Sequence, residues 1–216
     1  MCIRDSSILK AIDRSLFDPY LIGITKDGRW VNTPHDQPFE IRDGLLPEIK
    51  PGIVKSSNDL LESVDVIFPM LHGPFGEDGT IQGMCEVAGI PYVGSGVLPS
   101  AVAMDKSFAK PIFASHGLAV APGVVVNETS FNLVDVSHLN YPLFVKPARG
   151  GSSRGTSKVH VVDHLHEAIR EALHFDSKVM IESGIQGREI ECAVLETPEG
   201  VKAAPLGEIK VGSKYE

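Results

Sequence analysis

The run FVKPARGGSSRGTSKV at residues 144–159 decides the fold of this chain. Two strand-like apolar segments, residues 143–146 and 158–162, flank a loop rich in glycine and serine. Glycine permits close approach and positive φ, so the amides of such a hairpin can fold over phosphate groups. Lys146 precedes the loop and can supply a cation for the phosphates. The G-x-x-x-x-G-K-[ST] pattern of a P-loop is absent, and a plain Gly/Ser hairpin is the alternative.

Strand-like and helix-like segments alternate on both sides of this loop, which favours an α/β protein. A buried strand is predicted at residues 64–69 and a half-buried antiparallel strand at residues 189–195. A domain boundary is predicted near residues 98–104. The remaining predicted helices are residues 7–13, 80–88, 105–116 and 165–174, and the remaining predicted strands are residues 20–25, 29–31, 91–94, 124–126 and 179–182.

The composition is that of an ordinary globular protein, with 43% hydrophobic and 22% charged residues. The net charge of −8, with scattered lysines and arginines, gives no sign of a nucleic-acid surface. No apolar run approaches the ~20 residues that span a bilayer, and no signal peptide is recognisable, so the cytoplasm is expected. Cys2, Cys85 and Cys192 are widely separated in the sequence, and we expect them to be buried thiols.

A second polar loop, HGPFGEDGT at residues 72–80, follows the predicted strand at residues 64–69. Open α/β sheets bind ligands at the carboxyl ends of their strands, so this loop is a candidate binding site. His72 could orient a carboxylate or transfer a proton. Alternatively, Asp78 or Thr80 caps the following helix, and His72 satisfies a loop carbonyl.

Glutamates and histidines supply the other candidate groups. Glu182 and Glu189 flank a turn at the end of a strand, where carboxylates could bind ribose hydroxyls or an adenine amine, or could be solvated surface. His160, His164 and His166 raise the question of a zinc site. They straddle a strand end and a helix start and have no thiol nearby, which argues against metal binding.

Residues 71–106 (LHGPFGEDGTIQGMCEVAGIPYVGSGVLPSAVAMDK), 144–159 and 179–195 (VMIESGIQGREIECAVL) closely resemble the D-alanine–D-alanine ligases in order and spacing. The resemblance implies an α/β and α+β architecture. Residues 1–100 would form a doubly wound-like N-terminal α/β domain without its first strand. Residues 101–216 would form an incomplete ATP-grasp domain. The family's C-terminal catalytic segment is expected to be missing.

The resemblance also implies a reaction. ATP would phosphorylate one D-alanine, and the amine of a second D-alanine would attack the acyl phosphate to give the D-alanyl-D-alanine used in peptidoglycan precursors. The implied cofactors are ATP and two Mg²⁺ ions, whose ligands lie outside this chain, and the intact protein would be a cytoplasmic homodimer. We expect the 216 residues alone to lack ligase activity.

Several residues take phosphate or D-alanine roles by their position in the family's motifs. Lys106 and Lys146 would hold the ATP phosphates. The loop through Ser152 and Ser153 would close over the γ-phosphate, with Ser152 also reaching the first D-alanine. His72 would lie beside the D-alanine pocket.

The remaining motif positions would hold the nucleoside. Glu182 and the backbone from Ser183 to Ile185 would read the adenine, and Glu189 would bind the ribose. Arg154 differs from the apolar residue usual in the family's loop. The alternatives are a ligase that uses D-lactate as its second substrate, another ATP-grasp carboxylate–amine ligase, and a nucleotide-binding fragment without catalysis.

Overall fold

The computed structural model describes residues 3–25, 28–32, 61, 63–151 and 153–209. Helix α1 (Ile3–Ala11) precedes an antiparallel pair of strands, β1 (Ile22–Ile24) and β2 (Trp30–Asn32). Gly28, with φ of +81°, lies in the turn between these strands. The predicted helix and hairpin are therefore confirmed, with shorter strands than the apolar runs indicated.

The predicted buried strand at residues 64–69 is wrong. Ile67 makes only an isolated parallel bridge to Tyr92, and the predicted strand at residues 91–94 is reduced to the same bridge. Val66 and Phe68 are each about half exposed. An apolar run becomes a buried strand only when layers cover both of its faces, and the described residues do not cover this one.

Three helices follow. Helix α2 (Thr80–Ala88) ends as predicted at Gly89, whose φ of +70° gives the left-handed C-cap that glycine adopts without strain. Helix α3 (Val97–Met104) was not predicted. Pro99 lies in the first turn, where a backbone N–H has no helical partner to lose. The proposed boundary near residues 98–104 lies within α3, and the division into domains stays a prediction.

Helix α4 (Lys106–Ser115) confirms the prediction for residues 105–116. Asp105 accepts a hydrogen bond from the Ser107 amide at 3.0 Å, which caps the first turn. Lys178 anchors this cap, because its Nζ lies 2.7 Å from the Asp105 carboxylate. The start of α4 is thus tied to the sheet described next.

The central sheet is antiparallel and has the strand order β3-β6-β4-β5. Its strands are β3 (Gly123–Asn127), β4 (Leu143–Pro147), β5 (Ser157–Val159) and β6 (Lys178–Ser183). The predicted strand at residues 158–162 ends early at Val159, because the chain bends at residues 160–161 and enters a 3₁₀ turn at Val162–His164. Helix α5 (Leu165–Leu173) contacts the sheet through its predicted apolar face. The buried core includes Leu143, Val145, Val159, Leu165, Ile169, Val179 and Ile181.

The predicted antiparallel strand at residues 189–195 is confirmed in part: its residues form antiparallel strands, but the strand is interrupted and is not half-buried. It divides into β7 (Glu189–Glu191) and β8 (Val194–Thr197), which pair in separate antiparallel ribbons with β10 (Gly207–Ile209) and β9 (Gly200–Ala203). These four strands are almost entirely exposed. Alternation predicts a buried face only where a second layer lies against it, and no such layer occurs within residues 153–209.

The cysteine prediction is half right among the described residues. Cys85 is fully buried in α2, and burial raises the pKa of its thiol. Cys192 is exposed between β7 and β8, because those ribbons have no core of their own. Cys2 lies outside the described residues. No helix in the described part of the chain is long and apolar enough to cross a membrane.

Candidate functional site

The sheet and α4 bring charged residues from three elements together. Along β4, Leu143 and Val145 are buried in the core, whereas Lys146 is only half-buried, as expected from alternation. β6 pairs directly with β4 and carries Glu182 near its end. Lys110, on α4, reaches the same carboxylate from the helix. Two residues predicted from separate motifs, Lys146 and Glu182, are therefore neighbours.

Glu182 is the centre of this cluster. One carboxylate oxygen contacts Nζ of Lys110 and the other contacts Nζ of Lys146. Burial favours the neutral acid, but hydrogen bonds from Lys110 and then Lys146 outweigh it and hold the pKa of Glu182 below its ordinary value. Lys110 also donates to the carbonyl of Ala121 at 2.6 Å. The carboxylate is thus ionised, 5% exposed and bonded on both oxygens.

Lys106 binds the first part of the glycine-rich loop. Its Nζ donates to the carbonyl of Gly150 at 2.7 Å and to that of Ala148 at 3.4 Å. Burial, and then the positive charge of Lys146, lower the pKa of Lys106. The backbone amide of Lys106 donates to the carbonyl of Ala148 at 3.1 Å, two residues after Lys146, so both lysines lie at the start of the glycine-rich loop. An anion bound there would offset both positive charges.

Both ends of the glycine-rich loop are anchored. Asp176 accepts from the backbone N–H of Arg149 at 2.7 Å and from Nη2 of Arg149 at 2.5 Å. At the other end, Gly155 has φ of +68°, and a β-carbon there would lie 2.5 Å from the Phe175 ring. Arg154 stacks over that ring, 5.7 Å from its centroid. This arginine, which stands where the resemblance predicts an apolar residue, therefore has a packing role.

Two predicted serines lie between these anchors. Ser153 has φ of +55°, which is unusual for a residue with a side chain. Ser152 lies outside the described residues, and its assigned contacts with phosphate and D-alanine stay predictions.

The loop at residues 72–80 meets the glycine-rich loop. A β-carbon added to Gly151 would lie 3.9 Å from Cα of Gly73. Nδ1 of His72 lies 3.8 Å from the Glu77 carboxylate. Asp78 accepts from the amides of Phe75 at 2.8 Å and Thr80 at 3.0 Å and so fixes the turn before α2. The N-cap residue of α2 is Gly79, with no side-chain capping hydrogen bond, so the alternative in which Asp78 or Thr80 caps the helix is wrong. An open cavity of about 710 Å³ lies beside this junction, lined among others by Pro74, Asp78, Thr80, Asp105, Arg149 and Asp176.

The nucleoside candidates are not all brought together. The amide of Ser183 donates to Pro122 O at 3.0 Å, and the next amide, that of Gly184, donates to Pro142 O at 2.7 Å. Ile185 is 69% exposed. Glu189 is exposed on β7, and the described contacts do not join it to Glu182. Its assignment to the ribose stays a prediction.

Sequence reasoning missed the residues that hold the site in place. Lys110 follows Lys106 by four residues, the spacing that places two side chains on one helix face, so this partner could have been found. Asp176, Arg149 and Lys178 carried no comparable local signal, because their partners are distant in the sequence.

Metal binding has no support among the described side chains. No group of three or more His, Cys, Asp or Glu residues there could hold an ion. His166 instead packs edge-on against Phe131, with ring centroids 6.0 Å apart. The described residues therefore do not fit a magnesium site of their own.

Two family models match the chain, and both describe the same family. The model described as "D-ala D-ala ligase N-terminus" matches residues 2–95, and the one described as "D-ala D-ala ligase C-terminus" matches residues 112–215. The D-alanine–D-alanine ligase of Mycobacterium avium is 45% identical over 97% of this chain. The chain spans 63% of that relative's length.

Solved structures agree with this relationship. The VanG D-Ala:D-Ser ligase from Enterococcus faecalis superposes with a TM-score of 0.78 and 32% identity, over 98% of this chain and 65% of that one. A D-alanine–D-alanine ligase from Bacillus anthracis, complexed with ATP, gives a TM-score of 0.64 and 32% identity over 73% of this chain and 52% of that one. The fold is the ATP-grasp fold of these ligases. The chain belongs to the D-alanine–D-alanine ligase family.

Proposed function

We propose that this protein takes part in the ATP-dependent ligation of two D-alanine molecules for peptidoglycan precursors. The observation that carries the proposal is that Lys106 binds the carbonyl of Gly150 in the glycine-rich loop, while Lys146, just before that loop, contacts Glu182. Two cations on rigid elements, next to amides that can approach closely, suit an oligophosphate. Family membership supplies the substrates.

The proposed reaction has two steps. A carboxylate oxygen of the first D-alanine attacks the γ-phosphorus of ATP, so the acyl phosphate forms and ADP leaves. The amine of the second D-alanine then attacks the acyl carbon, and the tetrahedral intermediate expels phosphate. Catalysis of such steps rests mainly on positioning and on electrostatic stabilisation of phosphoryl oxygens, which is the role proposed for Lys106 and Lys146.

The same geometry suggests where the nucleoside lies. Glu182 offers carboxylate oxygens that could accept the adenine amine. Because the Ser183 amide is used within the protein, Ile185 is the better candidate for a backbone contact to the base. Glu189 is proposed for the ribose and Ser153 for the γ-phosphate. His72, at the junction of the two loops, is proposed to lie beside D-alanine, with Ser152 reaching the same substrate.

Nucleotide titration of the 216-residue chain tests the proposed site. We expect Lys146→Ala to weaken ATP binding at least tenfold, because each charge-assisted contact to phosphate contributes about 1.5–3 kcal/mol. Lys202→Ala removes a lysine that is 60% exposed on β9 and pairs with Glu199, and it serves as the matched control. Equal affinity of the two variants for ATP would refute the proposed phosphate contact.

Ligation itself is tested by D-alanine-dependent ADP release together with detection of the dipeptide. We expect the whole protein to release ADP only when D-alanine is present and to form the dipeptide in equal amount. Magnesium stays part of the proposal for the whole protein, as do the homodimer and the cytoplasmic location. ADP release that does not depend on D-alanine, or that is not accompanied by the dipeptide, would refute the proposed ligation.

The second substrate has a specific alternative. The superposition on a D-Ala:D-Ser ligase makes D-serine, and by analogy D-lactate, competing acceptors on the same scaffold. Competition of D-alanine with D-serine and D-lactate, read by mass spectrometry of the products of the whole protein, separates them. Mainly depsipeptide or D-alanyl-D-serine at neutral pH would contradict D-alanine as the acceptor.

A further inference from the structure

Lys110 is a partly buried cation without a role in the proposed site. Its side chain is 19% exposed, and its Nζ contacts both the Glu182 carboxylate and the carbonyl of Ala121. Its neighbour on the helix face, Lys106, points to the glycine-rich loop instead. The two lysines of α4 therefore divide between the phosphate side of the site and the carboxylate proposed for the base.

The two lysines that hold Glu182 are not equivalent. Lys110 is fixed at a second point by Ala121, and no phosphate role is proposed for it. Lys146 precedes the glycine-rich loop and is proposed to bind phosphate. A phosphate that draws Lys146 away removes one of the two cations that keep Glu182 ionised, and Lys110 then holds the carboxylate alone.

We propose that Lys110 is a positioning residue that keeps Glu182 oriented as a hydrogen-bond acceptor for the 6-amino group of a purine. This proposal deepens the proposed function, because it rests on nucleotide binding at the same site. With Lys110 on one oxygen, Glu182 presents its remaining acceptor positions to the base. A 6-amino group can donate to them, whereas a 6-oxo group places one acceptor against another and is rejected.

Adenine and hypoxanthine nucleotides provide the discriminating pair of probes. ATP and ITP carry the same ribose and triphosphate but differ at position 6, so their affinity ratio isolates the contact to Glu182. We expect the unmodified chain to prefer ATP, and Lys110→Met to lower the ATP-to-ITP ratio at least tenfold. Lys110→Arg keeps a donor to the carboxylate and should restore most of the ratio.

The ratio separates positioning from a purely structural role. A structural defect in Lys110→Met weakens ATP and ITP equally and leaves the ratio unchanged, which would overturn the proposal. Absence of ATP binding by the unmodified chain would overturn the proposed function, and this inference with it. Normal ATP binding with an unchanged ratio would overturn the inference alone.

A double variant covers the case in which Lys110→Met does not fold. Lys110→Met/Glu182→Gln leaves no unpaired buried carboxylate, so the strongest reason for misfolding is removed. If Lys110 acts through Glu182, the double variant and Glu182→Gln have the same ATP-to-ITP ratio. A further fall of the ratio in the double variant would show that Lys110 acts on the base by another route, and would overturn the proposal.

Discussion

Replacement of Asp176 by alanine should destabilise the protein more than removal of the guanidinium of Arg149, with which Asp176 pairs. The Asp176 side chain is 3% exposed, whereas that of Arg149 is 51% exposed. Asp176 accepts from the backbone amides of Arg149 at 2.7 Å and Lys178 at 3.1 Å, and from the guanidinium as well. Removal of the Asp176 carboxylate leaves both amides without their hydrogen-bond acceptor, whereas loss of the guanidinium leaves both hydrogen bonds in place.

The magnitude follows from these contacts. A hydrogen bond to a charged group contributes about 1.5–3 kcal/mol, so two amides that partly regain water should cost about 3 kcal/mol together. The ion pair with a half-exposed arginine should contribute only about 0.2–1 kcal/mol. We therefore expect about 3 kcal/mol for Asp176→Ala and at most about 1 kcal/mol for Arg149→Met. Asp176→Asn should fall between them, because its amide oxygen still accepts one bond.

Urea unfolding followed by circular dichroism measures the difference. With a slope of about 2–3 kcal/mol per M, Asp176→Ala should lower the midpoint by about 1 M while leaving the slope unchanged. Arg149→Met is the control within the same pair. If it lowers the midpoint as much as Asp176→Ala does, then the stabilisation comes from the ion pair and not from the capped amides, and the reasoning is refuted.

Three further predictions concern the same region. Gly155→Ala should lower stability by about 1–3 kcal/mol, because φ is +68° and the new β-carbon would lie 2.5 Å from the Phe175 ring; thermal unfolding measures this, and equal melting temperatures would contradict it. Lys106→Met should weaken ATP binding about tenfold with little change in melting temperature. Calorimetric titration measures the affinity and thermal unfolding measures the melting temperature; an unchanged affinity with a lowered melting temperature would contradict the prediction. The pKa values of Asp176 and Glu182 lie below the ordinary 3.8 and 4.5, so their contribution to stability is present above those values and is lost as the pH falls through the lower folded-state values. The double variant Asp176→Asn/Glu182→Gln should therefore lose less unfolding free energy than the unmodified chain as the pH falls. An equal loss in both proteins, measured by urea unfolding at several pH values, would show that these carboxylates do not cause the acid dependence.

The sequence predicted well where the cause of a structure is local. Gly89 ends α2, and Gly117 follows α4 with φ of +78°, because a helix end depends on the few residues around it. The apolar face of α5 was equally readable from its spacing. In contrast, residues 64–69 and 189–195 were predicted as partly or fully buried, and burial depends on elements distant in the sequence.

The candidate site divides in the same way. Lys106, Lys146 and Glu182 could be named from motifs, because each lies in a run that resembles the family. Their mutual contacts could not, since the register that places β4 beside β6 leaves no mark in either strand. Lys110 is the intermediate case, because its spacing from Lys106 is visible in the sequence while its partner is not.

Lys146 connects the charge network to the proposed ligand site. Its Nζ contacts Glu182, and a lysine drawn to a phosphate must weaken that contact. ATP affinity would then measure an exchange of partners, not the gain of a new contact alone. Loss of the carboxylate in Glu182→Gln should release Lys146 and strengthen the binding of inorganic triphosphate, which has no base to recognise. The same variant should weaken ATP relative to ITP. Triphosphate bound more weakly by Glu182→Gln than by the unmodified chain would refute the exchange, because the carboxylate would then support the phosphate site and not compete with it.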